Sequence, residues 1–493
     1  MTLLTIGVGC LVIADRAWKS VTGYQTPYAI EADLPAGEPL TERLMLIVLD
    51  GVRVDAARDM PHLQKLAARG SSGIVTVGMP SLSNPGRATM ATGAWPEVHG
   101  VTNNGGYRPP PMDSIFSLAK REGVPRTAYG SDLWNRAFGD HLDPNAVFTF
   151  DKDLHVGEGA EPLAERQREV CVDMAAQLVR FPTGLIVVGI TATDTVGHDF
   201  GGESEEYLQL VAEADSCIAQ LDDERTTFVV TSDHGHIHRR GQGGHGGAEP
   251  EVVQVPLVFA GPGVSRSSGW TGEQVDIAPT ICALLGLPLP ANSQGRVITE
   301  AVAASIELQA RIDEQRKLVE EQGPNRYHAM GAGQEGRAVF SALVALGLVL
   351  IAGSFVLTSG PRLILAAVLW SALYAAMFWA FGLGYSLSAV VREEYLNSFF
   401  LRNLCGAVVG IVAVARVFRN RLDAFPIGFF VACLLGLRVI WIHWQHGLMM
   451  RELMPDLAWA FTAYLDLLAI FGVGLGTAVS LLGAHFCART ASR

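Results

Sequence analysis

Side chains that can bind metals or attack phosphorus recur beside turn signals along this chain. They are three aspartates, three histidines and one serine: Asp50, Ser83, Asp194, His198, Asp233, His234 and His245. Most of them follow a short apolar run. Such runs are typical of buried parallel strands, and the loops after them carry the chemistry of open α/β sheets. Six carboxylate and imidazole ligands around one hydroxyl would form a two-metal phosphoryl-transfer site.

The first two of these residues lie in turn-forming segments. Asp50 follows the apolar run 44–49 and precedes Gly51, which lets a carboxylate approach a cation closely; an ordinary Asp-Gly turn is the alternative. Ser83 lies in a Pro-Gly segment that predicts the first turn of a helix. Free N–H groups there favour an anion, so a metal-activated Ser83 would be a good nucleophile. Alternatively, Ser83 or Asn84 simply caps the helix.

The other five residues lie in three later segments. Asp194 and His198, four residues apart, can bind one metal from a single turn, and a carboxylate with an imidazole suits zinc or manganese. Asp233 and His234 follow a short apolar strand, where an unpaired aspartate is almost never buried as core. His245 has two glycines on each side, so its backbone is flexible enough to bring the imidazole into the site.

Further polar residues separate the last of these ligands. They are His236, His238, Arg239 and Arg240. A solvated loop is the simpler interpretation of this segment, and contact with the substrate is the alternative.

Strand-like and helix-like segments alternate from residue 44 to about residue 290. The apolar runs 44–49, 185–190, 228–231 and 256–260 predict strands, and the patterns at 61–69, 165–179 and 205–221 predict helices between them. This alternation predicts an α/β fold, a mostly parallel sheet with helices on both faces. We assign residues 43–300 to this catalytic domain, 20–42 to a linker, and 301–336 to a helix and a Gly-rich connector.

Composition restricts the partners and the redox chemistry. The net charge of −12 argues against nucleic acid, whose phosphates are held mainly by Lys and Arg. It permits an anionic substrate, because bound dications would reverse the local field. Seven cysteines without a CxxC argue against a disulfide framework or a thiolate zinc site, so we expect most of them to be buried small hydrophobes.

The C-terminal part of the chain is much more apolar than the rest. Within 337–493 we predict about five membrane-spanning helices, near 338–358, 362–384, 398–417, 424–445 and 457–484. An apolar stretch within residues 1–19 is a possible N-terminal anchor, and a signal-peptide core or a buried helix is the alternative.

Loop charges predict the orientation in the membrane. If the catalytic domain is extracytoplasmic, the cytoplasmic ends carry Arg362, Arg416, Arg419, Arg421, Arg489 and Arg493. The opposite loops carry arginines offset by glutamates: Arg392 beside Glu393 and Glu394, and Arg451 beside Glu452. The positive-inside rule therefore favours a multi-pass protein whose catalytic domain faces the periplasm, the cell surface or the ER lumen.

Ionisable residues also occur within one predicted span. Arg438 is the most internal of them, and His443 and His446 lie toward the end of the span. Intramembrane charges are candidates for function, so Arg438 is a candidate for lipid-headgroup contact. Snorkelling to the interface is the alternative and fits the two histidines better.

Taken in order, the motifs resemble those of the alkaline phosphatase superfamily, in the branch of the nucleotide pyrophosphatases/phosphodiesterases. The chain is most similar to the glycosylphosphatidylinositol (GPI) ethanolamine phosphate transferases. Over about residues 20–315, the resemblance rests on the segments 50–53, 83–86, 194–198, 231–235, 245–246, 276–280 and 290–295. One N-terminal anchor, a catalytic domain and several spans are also typical of that family.

The resemblance implies two divalent metals, zinc in the first place and manganese as the alternative. One metal would be bound by Asp194, His198 and His245. The other would be bound by Asp50, Asp233 and His234, with Ser83 bridging to the phosphate. In this branch a phosphate-binding amide lies where this chain has Asn104, which we prefer to its neighbour Asn103.

One departure from the family affects the reaction. Arg87 replaces the usual histidine, so residues 83–87 read S-x-P-x-R, close to a sulfatase signature in which the serine becomes formylglycine. Sulfatases usually begin with paired aspartates and hold one calcium, whereas this chain has a lone Asp50. Arg87 is also a candidate substrate contact. The number of spans is smaller than in many eukaryotic transferases, which argues against a GPI substrate.

The sequence thus predicts a membrane-bound, metal-dependent phosphotransferase or phosphodiesterase. It would act on phosphoethanolamine-type groups of a lipid or glycolipid, such as phosphatidylethanolamine, through a covalent intermediate on Ser83. Sulfatase and nucleotide pyrophosphatase activities are the enzymatic alternatives. The non-enzymatic alternative is a membrane transporter or scaffold with a degenerate extracytoplasmic domain.

Overall fold

A computed structural model shows two compact units, each described separately below. The structure describes residues 1–28, 34–105, 108–130, 132–143, 147–149, 160–238, 243–303, 305–331, 334–392, 395–419, 422–450 and 454–491. One unit comprises Tyr24–Arg326 and is called here the α/β unit. The other combines Met1–Gly23 with Tyr327–Arg493 and is called the helical unit.

A single eight-stranded sheet organises the α/β unit. Its strands are β1 (Arg43–Leu49), β2 (Ser71–Thr76), β3 (Arg126–Gly130), β4 (Val147–Thr149), β5 (Gly184–Ile190), β6 (Thr227–Ser232), β7 (Gln254–Ala260) and β8 (Ser267–Glu273). They lie side by side in the order β4-β3-β5-β1-β6-β7-β2-β8. Strands β4, β3, β5, β1 and β6 are mutually parallel, and β7 is antiparallel to both β6 and β2. The predicted mostly parallel sheet is confirmed.

The sheet is covered on both faces, which explains why its central strands read as unbroken apolar runs. Alternate residues of β1 enter different cores: Leu44, Leu46 and Val48 enter one, and Met45 and Ile47 enter the other. Every residue of β5 and β6 is buried. The four predicted strands match β1, β5, β6 and β7, whereas β2, β3, β4 and β8 contain too many small or polar residues to give an apolar run.

Helices fill the connections of this unit. They are α2 (Val54–Arg58), α3 (Pro61–Arg69), α4 (Ser83–Thr92), α5 (Pro96–His99), α6 (Ile115–Arg121), α7 (Asp132–Phe138), α8 (Ala160–Leu178), α9 (Ala192–Phe200), α10 (Glu205–Leu221), α11 (Pro250–Val253), α12 (Ile277–Leu284) and α13 (Ile306–Gly331). Short 3-10 turns occupy Gly139–His141 and Gln274–Asp276. The expected Gly-rich connector is helical as far as Gly331, so composition alone misplaced the end of α13.

A disulfide joins two helices on one face of the sheet. Cys171 of α8 bonds to Cys217 of α10, with their Cα atoms 5.5 Å apart. The expectation of buried free thiols was therefore wrong for this pair. The two cysteines are separated by 46 residues and meet because α8 packs against α10, a contact that their spacing does not reveal. The free thiols Cys282 and Cys433 are buried, as expected.

The helical unit contains five helices long and apolar enough to cross a membrane, counted over the described residues, in agreement with the predicted number. These helices are α14 (Gln334–Ser359), α15 (Arg362–Ala380), α16 (Leu396–Val417), α17 (Ala424–His446) and α18 (Leu457–Ala491). A 3-10 turn occupies Leu387–Ala389. The N-terminal helix α1 (Thr2–Thr22) packs against α18, and a Cβ on Gly7 would lie 2.9 Å from the Phe471 Cα. The first helix is thus part of this bundle.

The intramembrane arginine has a partner within the bundle. Arg438 of α17 donates through Nε and Nη2 to both carboxylate oxygens of Asp466 in α18. Its guanidinium also lies over the Tyr385 ring, 4.9 Å from the centroid. Asp466 is fully buried, whereas the Arg438 side chain is 41% exposed. A buried carboxylate needs such a partner because desolvating an isolated charge costs several kcal/mol.

Candidate metal and phosphoryl-transfer site

Three neighbouring parallel strands place the three predicted aspartates at one edge of the sheet. In the register, Leu49 of β1 lies opposite Ile190 of β5 on one side and Ser232 of β6 on the other. Asp50 and Asp233 directly follow their strands, and Asp194 lies in the first turn of α9 just after β5. The carboxyl ends of parallel strands share one edge, so residues about 140 and 180 positions apart in sequence become neighbours.

Ser83 begins helix α4, and its hydroxyl faces this edge. The helix is capped at Leu82 without a side-chain hydrogen bond, so neither Ser83 nor Asn84 acts as its cap. Instead, Ser83 Oγ lies 3.1 Å from His234 Nε2. The hydroxyl is therefore available at the same edge as the carboxylates, next to the N–H groups of the first turn.

Three imidazoles face the site with the same orientation. The Nδ1 atoms of His234, His245 and His198 lie 3.1, 3.0 and 3.4 Å from the backbone carbonyls of Gly235, Ser81 and Gly243 respectively. A carbonyl only accepts, so each Nδ1 must carry the proton. Each Nε2 lone pair is then directed at the site, as metal-ligating histidines require.

Distances between these groups fit metal coordination. His198 Nε2 lies 3.3 Å from His245 Nε2, and each of the two lies 3.5 Å from an oxygen of Asp194. Ligands bound tetrahedrally at about 2.0–2.1 Å lie about 3.3–3.4 Å apart, so these separations match zinc geometry. The three residues that the family resemblance assigns to the first metal are thus brought together.

The second predicted set is also brought together. The ligand atoms of Asp50, Asp233 and His234 lie within 4.8 Å of one another. Asp233 Oδ1 accepts from the N–H groups of Gly51 and His234, at 3.3 and 3.1 Å. Among the described residues, the buried atoms Asp50 Oδ1 and Asp233 Oδ2 form no hydrogen bond, although Arg87 Nη2 lies 3.1 Å from Asp233 Oδ2 as an ion pair. Orphaned carboxylate oxygens facing one another fit a cation that binds between them.

Arg87 lies beside these acids. Its side chain is 5% exposed and forms an ion pair with Asp50, and its Nη2 lies 3.1 Å from Asp233 Oδ2. The predicted substrate contact remains a prediction; in the structure the guanidinium neutralises part of the charge of the second ligand set. This position suits a residue that adds a permanent positive charge next to a metal.

Proton affinities reflect the crowding of charge. Burial raises the pKa of Asp50 well above its usual value; Arg87 opposes this shift, and the Asp233 and Asp194 carboxylates add to it. Burial would raise the pKa of Asp194 too, but the neighbouring histidines, His198 above all, hold it well below the usual value. Burial and the nearby His234 lower the pKa of His245. The imidazole of His245 is thus neutral at physiological pH and free to bind a metal.

The predicted phosphate-binding amide lies at the start of α4. Asn104 Oδ1 accepts from the Asn84 N–H at 3.0 Å, and Asn84 Nδ2 donates to the Asn104 carbonyl at 2.7 Å. These two hydrogen bonds with Asn84 hold Asn104 next to Ser83. By contrast, Asn103 Oδ1 accepts from the Gly105 N–H within its own turn. The phosphate contact of Asn104 stays a prediction.

The loop between His234 and His245 contains a residue whose position the sequence did not predict. His236 is fully buried, and its Nε2 lies 2.7 Å from Asp194 Oδ1, whereas His238 is exposed. Arg239 and Arg240 lie outside the described residues. The solvated interpretation is therefore wrong for His236. Its position two residues after His234, in a segment rich in histidine and glycine, was the one available signal.

Backbone support for the site also involves residues that the sequence did not single out. Tyr207 Oη donates to the Gly51 carbonyl at 2.8 Å and accepts from the Arg53 N–H at 3.0 Å. Thr193 Oγ1 donates to the Asp50 carbonyl. These contacts come from helices α9 and α10 and fix the loop that follows β1, a dependence visible only in the fold.

Comparisons with known proteins agree with this geometry. Residues 44–244 match the family model described as type I phosphodiesterase/nucleotide pyrophosphatase. The GPI ethanolamine phosphate transferase 1 of Emericella nidulans is 25% identical over 56% of this chain and 36% of its own length. The human protein of the same name is 25% identical over 52% of this chain and 32% of its own. The chain thus spans about a third of the length of these relatives.

Among solved structures, murine ectonucleotide pyrophosphatase/phosphodiesterase 5 has a TM-score of 0.39 at 14% identity, covering 50% of this chain and 95% of that one. The family match begins within β1, includes Asp50, Asp194 and Asp233, and ends at Gly244, the residue before His245. Over residues 44–244, the chain is thus similar to the type I phosphodiesterase/nucleotide pyrophosphatase family.

Proposed function

We propose that this protein transfers or hydrolyses phosphoethanolamine-type groups on a membrane lipid or glycolipid, through a covalent intermediate on Ser83. The observation that carries this proposal is the arrangement around Ser83 Oγ. Its neighbour His234 Nε2, 3.1 Å away, belongs to a cluster of buried carboxylates and Nε2 atoms that fits two divalent metals. A hydroxyl beside two such ligand sets is the arrangement expected for in-line displacement at phosphorus.

In the proposed mechanism, one metal would be held by Asp194, His198 and His245, and the other by Asp50, Asp233 and His234. Bound zinc or manganese would lower the pKa of the Ser83 hydroxyl and neutralise charge on the phosphoryl oxygens. Tetrahedral nitrogen and oxygen ligation favours zinc of the two.

The Ser83 oxygen forms the new bond to phosphorus while the ester bond to the leaving alcohol breaks. Its proton leaves with ionisation of the hydroxyl, and the departing alkoxide is protonated by solvent. In the second half-reaction, an acceptor hydroxyl or water attacks the phosphorus of phosphoethanolamine-Ser83 from the side opposite Oγ. The Ser83 Oγ–P bond breaks, and the proton lost by the acceptor returns through solvent to the freed serine oxygen. Asn104, held beside α4 by Asn84, is positioned to bind a phosphoryl oxygen.

The helical unit supports a lipid-linked substrate. Five candidate spans support a membrane location, and phosphatidylethanolamine is a membrane lipid with the required donor chemistry. The similar proteins of Emericella nidulans and human are named GPI ethanolamine phosphate transferases, which supports the phosphoethanolamine group. Because the chain covers about a third of their length, we propose the transferred group and leave the GPI acceptor out of the proposal.

Two observations support an extracytoplasmic catalytic unit. Arginines of the helical unit predominate at the predicted cytoplasmic ends. The Cys171–Cys217 disulfide is a bond that persists in oxidising compartments. Cysteine substitution tests this orientation in sealed membranes. A thiol at the exposed His238 position should react with an impermeant maleimide on the extracytoplasmic face, and one at Arg419 on the opposite face. Labelling of both positions from the same side would contradict the proposal.

The decisive test follows the headgroup of labelled phosphatidylethanolamine in detergent micelles or liposomes. The wild-type protein should release or transfer the label, and a quenched reaction should contain phosphoethanolamine on the peptide carrying Ser83. Ser83→Ala should abolish both signals. Ser216→Ala, an exposed change on α10, is the matched control and should retain both. Full turnover by Ser83→Ala would refute the mechanism.

A sulfatase is the second candidate, and one observation favours it. Arg87 of the S-x-P-x-R segment pairs with Asp50 and lies 3.1 Å from Asp233, so it interacts with the ligand set next to the nucleophile. Mass spectrometry of the peptide carrying Ser83 distinguishes the two enzymes. Formylglycine at this position would support a sulfatase, and an unmodified serine that acquires phosphoethanolamine would support the transferase.

A further inference from the structure

We propose that His236 is a positioning residue that orients Asp194 and thereby determines how tightly the site holds its metal. This inference rests on the proposed metal-dependent function of the site. The segments on which the family resemblance rests do not include His236.

The first observation is the hydrogen bond from His236 to Asp194. His236 Nε2 lies 2.7 Å from Asp194 Oδ1, and both residues lie at the edge of the sheet. The other oxygen, Oδ2, lies 3.5 Å from His198 Nε2. A separation of 2.7 Å is short for two ligands of one tetrahedral ion and normal for a charge-assisted hydrogen bond. His236 therefore donates a hydrogen bond to Asp194 Oδ1, and Asp194 Oδ2 stays directed at His198.

The second observation is that His236 is oriented differently from the other imidazoles. His198, His234 and His245 direct Nδ1 to backbone carbonyls and Nε2 to the centre of the site. His236 instead uses Nε2 for a carboxylate, which is the role of the residue behind a ligand. Its backbone is also fixed, because Arg53 Nη1 donates to the His236 carbonyl at 3.3 Å.

The third observation is the space that glycines leave for the ring. A Cβ on Gly51 would lie 2.8 Å from His236 Cδ2, and one on Gly197 would lie 2.9 Å from the same atom. Gly202 is similarly close, 2.9 Å from the His236 Cβ. Gly51 follows the ligand Asp50, and Gly197 precedes the ligand His198. The glycines beside two predicted ligands thus make room for His236 as well as for any cation.

Outer hydrogen bonds of this kind set the orientation of a ligand, and losing them typically costs about 10–100-fold in metal affinity. Three variants of the full-length protein test whether His236 acts in this way. His236→Gln keeps a side-chain N–H donor, His236→Leu removes it, and Gly197→Ala retains the histidine but displaces its ring. Zinc retention is measured by competition with a chelator, and the absorption spectrum of the cobalt-substituted protein reports the ligand geometry.

We expect His236→Leu to lose zinc affinity by about 10–100-fold and to change the cobalt spectrum. His236→Gln should stay within a few-fold of the wild type, and Gly197→Ala should lie between the two. Ser216→Ala is the control and should match the wild type. A purely structural role would lower thermal stability and leave zinc competition and the cobalt spectrum unchanged.

Wild-type zinc competition in His236→Leu would overturn the inference and leave the proposed function intact. If His236→Leu does not fold, Gly197→Ala decides the question, and wild-type affinity there would likewise overturn it. A wild-type protein that binds no transition metal in this assay would instead refute the proposed function, so the two failures are distinguishable.

Discussion

Both units of this protein contain buried carboxylates paired with an arginine. The charges balance in the helical unit, whereas negative charge is in excess in the α/β unit. In the helical unit, Arg438 faces Asp466 one to one, and both carboxylate oxygens receive an N–H. In the α/β unit, Asp50 and Asp233 share the single guanidinium of Arg87, and Asp194 lies within the same cluster. The first arrangement is self-sufficient, whereas the second leaves orphaned oxygens.

This difference shows how an ion pair that stabilises the fold can be distinguished from a binding site. A charge-balanced pair satisfies its desolvated groups and needs nothing further. Burial raises the pKa of Asp50, and the Asp233 and Asp194 carboxylates add to this shift. Three acids near one arginine thus carry an excess of negative charge, which added cations would relieve. The local charge excess is therefore the physical signature of the site, and the following predictions test it.

The largest effect is expected from removing one acid of the catalytic cluster. Asp233→Asn should lower turnover by at least about 100-fold, because even an outer partner of a metal ligand is worth about 10–100-fold. The metal-free protein should unfold at the wild-type temperature or above it, since the substitution removes excess charge. Headgroup-release kinetics and thermal unfolding after chelation measure the two effects. A strongly destabilised metal-free Asp233→Asn would contradict the charge-excess interpretation.

Removing the arginine of the same cluster should have the opposite effect on stability. Arg87→Gln leaves the buried acids Asp50 and Asp233 without their cation, and breaking a buried pair costs about 3–5 kcal/mol. The metal-free variant should therefore unfold well below the wild type. Saturating zinc should recover most of this loss, because added cations replace the missing charge. Zinc should thus raise the melting temperature of Arg87→Gln by more than it raises that of the wild type.

In the helical unit the same type of change should act on stability and not on metal dependence. Asp466→Asn leaves Arg438 without its counterion. We expect a loss of about 1–3 kcal/mol, below the range for fully buried pairs because the Arg438 side chain is 41% exposed. Thermal unfolding in detergent measures it, with and without zinc.

Asp15→Asn is the matched control for this change, since Asp15 forms an exposed pair with Lys19 in α1. Such pairs contribute about 0–1 kcal/mol, so the control should stay close to the wild type. An Asp466→Asn protein as stable as this control would show that the intramembrane pair is dispensable.

The smallest effect concerns pH. The folded metal-free protein holds the Asp50 proton to a higher pH than the unfolded chain does, because the folded pKa is raised. The contribution of Asp50 to stability is therefore largest at low pH and is lost as pH rises through the folded pKa. Asp50→Asn should raise the melting temperature of metal-free protein at pH 8 by about 1–2 °C, the shift that about 1 kcal/mol produces in a unit of this size.

The same substitution should narrow the difference in melting temperature between pH 6 and pH 8. Glu224→Gln, a change in the loop after α10, serves as the control for charge removal in the same unit. If Asp50→Asn destabilised the metal-free protein at pH 8, the Asp50 charge would be fully balanced by Arg87. The two units would then not differ in charge balance.

Much of this protein was accessible from the sequence because its signals are local. Apolar runs followed by Asp50 and Asp233 predicted strand ends, and parallel strands bring their ends to one edge. The order of the motifs predicted the similarity to the family whose model matches residues 44–244, and uninterrupted apolar segments gave the five candidate spans. Each of these features depends on periodicity or on residues adjacent in the chain.

Other features were decided by the tertiary structure, since they depend on groups that meet across long sequence separations. The helix contact joins Cys171 to Cys217, and the packing of loops buries His236 against Asp194. In the sequence, Arg87 is a position of the S-x-P-x-R motif or a candidate substrate contact. The fold shows that it lies beside two of the acids. The sequence by itself determined which ligand types are present and where their strands end. The tertiary structure decided which nitrogen each imidazole presents and how many acids share one arginine, because both depend on distances that no spacing in the chain encodes.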